Sequence, residues 1–81
     1  MRALRSSSSR AVAKILAAAR HDAGMTQRDL ATKLNRPHSV IGMIESNQRQ
    51  VNVPEFIAIS ESIGADPVEL FKQVLRERAR L

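Results

Sequence analysis

The sequence predicts an all-α domain of five short helices, and three observations predict it. Apolar residues recur at i, i+3, i+4 and i+7, the spacing that lines one face of a helix, and nothing in the chain requires a strand. Helix start signals built on Ser, Thr, Asn or Asp recur ahead of apolar stripes, and Gly or Asn follows them. Only Phe56 and Phe71 of the 81 residues are aromatic, so the interior must be built from Ile, Leu, Val and Ala. A chain of this length supports one core and one domain.

Each element follows from its own signals. Residues 1–9 read as a flexible basic arm, because Arg2 and Arg5 stand beside the polar run Ser6 to Ser9. The folded domain is expected over residues 10–79. One of the serines can cap a first helix beginning near Arg10, with Val12, Ile15, Leu16 and Ala19 on one face, and Gly24 ends it by accepting a left-handed conformation. The second helix is expected from Thr26 to Leu34. Its start, Thr26-Gln27-Arg28-Asp29, approximates a capping box, and Leu30, Ala31 and Leu34 supply its buried face. Arg36-Pro37 cannot continue that helix, because proline restricts the residue before it. A third helix is expected over residues 37–46, with Val40, Ile41 and Ile44 inward. After a polar loop, Asn52-Val53-Pro54-Glu55 opens a fourth helix carrying Phe56, Ile57, Ile59 and Ile63, which Gly64 ends. Asp66-Pro67-Val68-Glu69 opens a fifth, with Leu70, Phe71, Val74 and Leu75 before the charged tail Arg76 to Arg80.

Composition narrows the function. With no Cys there is no disulfide framework or thiolate chemistry, which fits a reducing cytoplasm. No uncharged apolar run approaches the roughly 20 residues of a membrane span, so a soluble cytoplasmic protein is expected. His21 and His38 are lone histidines, and no metal-ligand cluster, Ser-His-acid set or phosphate-binding Gly loop is visible, so neither an enzyme nor a metal or other cofactor is expected. His21, at the end of the first helix, is expected to interact with exposed carbonyls there. The net charge of +5 points to a polyanionic partner. It is unevenly spread: residues 1–36 hold eight Lys or Arg against Asp22 and Asp29, residues 37–69 hold Arg49 against five carboxylates, and the C-terminal segment is basic again.

The second and third helices, separated by only a few residues, have the sequence form of a helix-turn-helix, whose second helix can lie in the DNA major groove. Gly24-Met25-Thr26-Gln27-Arg28-Asp29-Leu30-Ala31, then Ile41, Ile44, Glu45 and Asn47, then Phe56 to Gly64, resemble the phage-repressor and Cro (XRE) type of helix-turn-helix protein, from about Arg20 to Leu70. That resemblance implies a compact five-helix repressor-like domain that binds double-stranded operator DNA as a homodimer. Matched position by position, it implies that Thr26 and Gln27 meet the phosphate backbone, and that His38, Ser39 and Met43, with Pro37 beside them, face the bases. Arg10, Arg28, Arg36 and Arg49 are candidates for further phosphate contacts. Here the sequence departs from the family, which often carries Gln, Arg, Ser or Thr at the base-reading positions. Pro37 lacks the usual capping hydroxyl, and Asn35 and Asn47 stand where Gly is common.

The resemblance also matches Arg20 and Glu45 to an ion pair between the first and third helices. Phe71, Val74 and Leu75 either close the core or pack against a second copy. The competing reading is a protein-interaction module, such as the antitoxin half of a toxin–antitoxin pair or a coactivator-like adaptor, with a toxin or another regulator as partner.

Overall fold

The computed structural model describes residues 6–81, which form five helices and no strand. These are α1 (Ser7–Asp22), α2 (Gln27–Leu34), α3 (His38–Glu45), α4 (Val53–Ile63) and α5 (Pro67–Arg80). The first helix starts earlier than its sequence signals suggest. Ser6 accepts from the Ser9 backbone N–H at 3.1 Å, so α1 begins at Ser7 rather than near Arg10, and Ser7 to Ser9 belong to the helix. A hydroxyl that satisfies one orphan donor of the first turn is enough to move the start forward. Arg2 and Arg5 lie outside the described residues.

The remaining boundaries follow from the local chemistry. Thr26 Oγ1 accepts from Asp29 N–H while Asp29 accepts from Thr26 N–H, a complete capping box, and Asn52 with Glu55 repeats it at α4. The Thr26 bonds hold the Asp29 carboxyl below its ordinary range. Pro37 precedes α3 with no side-chain cap, so the helix proper starts at His38. Asn35 and Asn47 adopt the left-handed conformation that terminates their helices, at φ of 55° and 62°.

Leu16, Leu30, Ala31, Ile41, Ile44, Ile59 and Leu70 form the core, with Ile15, Leu34, Val40, Phe56 and Ile63 packed around it. Each fully buried Leu or Ile contributes about 1.5–3 kcal/mol by leaving water. The small Ala31 is buried in the α2–α3 pair, and α5 lies chiefly against α1. There Glu77 is buried and meets Lys14 at 2.8 Å, a cross-link that no local pattern signals. Val74 faces the same interior and is only 3% exposed, which removes it from any outer surface. Phe71 and Leu75 remain exposed.

Candidate nucleic-acid interface

α3 turns Ile41 and Ile44 inward, and its opposite face carries His38, Ser39 and Met43, all exposed, with Gly42 between them. That face is anchored from behind by Glu45. Its carboxylate accepts from Arg20 Nε at 2.6 Å and from Arg20 Nη2 at 2.9 Å, and Gln27 Nε2 donates to it at 3.0 Å. Arg20 also donates to the Met25 carbonyl at 2.7 Å, so one guanidinium joins α1, the α1–α2 turn and α3. Both partners are nearly closed off, with 7% and 10% of their side-chain surface exposed. Hydrogen bonding to Glu45 holds Arg20 more firmly charged than usual, outweighing the opposing effect of burial. His21 does not reach helix-end carbonyls with its ring: Nε2 lies 3.2 Å from Arg20 Nη2.

Gln27, expected to meet phosphate, is thus already engaged. It lies across α3, and a Cβ built on Gly42 would stand 3.5 Å from its Oε1. Thr26 and Arg28 flank it on the exposed first turn of α2, where unpaired N–H groups and the helix dipole favour an anion. Arg10 is exposed and lines a groove with Lys14, Asn47 and Gln48 beside the C-terminal end of α3.

Arg36 and Arg49 are brought to one carboxylate. Arg49 Nη2 donates to Glu55 Oε2 at 2.6 Å, while Arg36 Nη1 lies 3.7 Å from the same oxygen. The Arg49 bond holds the Glu55 carboxyl below its ordinary range, so Glu55 is ionised at neutral pH. By its local pattern Glu55 is only a helix-capping residue. Its nearness to Arg36, nineteen positions earlier, is created by α4 packing against α2 and the turn into α3.

A second surface lies away from α3. Val53, Ile57, Val68, Phe71 and Leu75 are all exposed, and a hollow of about 470 Å³ between α4 and α5 is lined by Val12, Val51, Phe56, Val68 and Phe71. The Phe56 and Phe71 rings meet edge to face, with centroids 6.1 Å apart. Among the described residues, no group of His, Asp and Glu side chains could hold a metal ion, and no helix is long and apolar enough to cross a membrane.

Residues 16–70 match the helix-turn-helix family model. The chain belongs to the XRE type of this family. The family comprises DNA-binding transcription regulators. An XRE-family like protein from Pseudomonas syringae pv. tomato str. DC3000 is 35% identical and superposes with a TM-score of 0.79, over 85% of this chain and 84% of that one. The restriction-modification controller protein C.Esp1396I in its wild-type form is 27% identical, with a TM-score of 0.84 over 91% and 96% of the two chains. The same controller protein, solved as a tetramer in complex with its natural 35 base-pair operator, gives 28% identity and a TM-score of 0.81 over 89% and 95%. No curated protein sequence matches the chain.

Proposed function

We propose that this XRE-type chain is a repressor that reads a palindromic operator as a homodimer, with α3 in the major groove. The observation that carries the reading is the Arg20–Glu45–Gln27 network: it fixes α3 against α1 and α2 while His38, Ser39 and Met43 face outward. Rigid presentation matters because base contacts require side chains held in register with the groove. His38 offers a ring nitrogen to a purine edge, Ser39 a hydroxyl, and Met43 an apolar contact for a thymine methyl. Pro37 starts the helix without a side chain that can hydrogen-bond. Thr26, Arg28, Arg36 and Arg10 supply phosphate contacts around it, and Gln27 adds its remaining amide valences from its place on Glu45.

Such a sparse base-reading set on one subunit favours a dimer, which doubles the contacts on a two-fold site. The exposed Val53, Ile57, Val68, Phe71 and Leu75 face suits that contact, an isologous apolar patch being self-complementary. The operator complex of C.Esp1396I, a tetramer, supports operator binding by an assembly of this fold.

Selection from a randomised duplex pool, followed by mobility shift, tests the proposal. A palindrome should be recovered. His38→Ala should cost about 1–3 kcal/mol on that site and relax selection at one base pair in each half. Arg28→Gln should weaken all duplexes alike and lower the salt slope by about 0.9. Recovery of no preferred sequence, or preferences indifferent to His38, Ser39 and Met43, would overturn it.

A further inference from the structure

Arg36 and Arg49 share one carboxylate unequally. Arg49 is bonded to Glu55 at 2.6 Å and is about one-third exposed, whereas Arg36 stands at 3.7 Å with 49% of its side chain in solvent. Arg49 Nη1 is sealed from solvent and has no hydrogen-bond partner among the described residues, so this edge of the guanidinium is turned into the protein while Nη2 holds Glu55. Glu55 is itself pinned, because it also closes the reciprocal cap with Asn52.

Resting on the DNA-binding reading above, we propose that Glu55 is a counter-charge that competes with DNA phosphate for Arg36, and that Arg49 acts through Glu55 rather than on DNA. In the free protein the two arginines and one carboxylate carry a net single positive charge. When a phosphate approaches, Arg36 swings to it without stranding a charge, because Arg49 keeps Glu55 paired. Arg36 is therefore a phosphate ligand whose attraction is discounted until DNA is close. Sequence-independent attraction is held down, and discrimination is left to α3. Arg49 is a positioning residue: without it, Glu55 would hold Arg36 outright.

This makes an epistatic prediction that a direct phosphate role for Arg49 does not. On a random 20-base-pair duplex, Arg49→Gln weakens binding, and adding Glu55→Gln restores it to the wild-type level or above. Glu55→Gln alone binds the random duplex more tightly, with a salt slope steeper by about 0.9, so its advantage over the wild type shrinks about 3- to 4-fold for a fourfold rise in salt. Gln at this position keeps the reciprocal cap, and thermal melts establish that each variant is folded at the assay temperature. Failure of Glu55→Gln to rescue Arg49→Gln would overturn the proposal, as would an unchanged slope for Glu55→Gln. Should a Glu55 variant melt below the assay temperature, Arg36→Gln decides. It leaves the Arg49–Glu55 bond intact and must lower the wild-type slope; no change removes Arg36 as the ligand. A wild-type protein that binds no duplex would instead defeat the DNA-binding reading itself.

Discussion

Replacing Glu45 by Gln removes one charge from a pair that the fold has closed off from water. Arg20 and Glu45 expose 7% and 10% of their side-chain surface, and the carboxylate receives three donors within 3.0 Å. The neutral amide keeps the volume but cannot balance the guanidinium, which stays charged. Breaking one side of a buried pair costs about 3–5 kcal/mol. The lower end applies here, because Arg20 keeps its bond to the Met25 carbonyl. At about 4–8 °C per kcal/mol for a domain of this size, a loss of about 3 kcal/mol lowers Tm by about 12–24 °C. That is a large share of the roughly 4–12 kcal/mol available to some 80 residues. Thermal unfolding followed by circular dichroism at 222 nm measures it. The companion variant Arg20→Met with Glu45→Leu should recover most of the loss, since well-packed apolar replacements of buried pairs are often neutral or stabilising. A Tm within about 5 °C of wild type for Glu45→Gln would refute the reasoning, because the pair would then be behaving as a solvated surface contact.

Three further outcomes are expected. Gly42→Ala should raise Tm by about 4–8 °C, the worth of about 1 kcal/mol of helix propensity, because the added Cβ meets Gln27 Oε1 at an ordinary 3.5 Å; a fall in Tm would show that Gln27 cannot accommodate it. Val68→Glu, at a position 63% exposed, should leave Tm of the dilute protein nearly unchanged while shifting sedimentation from dimer to monomer at tens of micromolar, and a persistent dimer would exclude this face. Stability should fall on acidification. Glu55 and Glu77 are held below the ordinary glutamate value of 4.5, chiefly by hydrogen bonds from Arg49 and Lys14 respectively. Their contribution is complete above that value and drains away as pH falls through the lower values of the folded state. Melts from pH 6 to pH 2 should show this decline, and Glu77→Gln should make it shallower.

Much of the fold was legible because helix ends are local. The Thr26–Asp29 and Asn52–Glu55 boxes, the prolines at 54 and 67, and the left-handed Asn35, Asn47 and Gly64 are each decided within a few residues. The start of α1 lies three residues ahead of Arg10, because any of four consecutive serines can cap it and only the bond to Ser6 distinguishes them. The α3 positions His38, Ser39 and Met43 came from the resemblance to the XRE type rather than from spacing, and the structure leaves them exposed on the side opposite the inward Ile41 and Ile44. Val74 could not be separated from Phe71 and Leu75 by spacing alone. A wide apolar stripe shows that a helix is amphipathic, not where the core ends and the outer surface begins.

The sequence by itself determined the five helices, the caps of α2, α4 and α5 and the helix-turn-helix, because i to i+4 spacing and capping chemistry act over a single turn. Only the tertiary structure decided which charges are neutralised. Glu45 holds Gln27 as well as Arg20, Glu77 claims Lys14, and Glu55 divides itself between Arg36 and Arg49. These partners lie up to 63 positions apart in Lys14 and Glu77, and electrostatic pairing depends on distances of a few ångströms that exist only after the helices have packed.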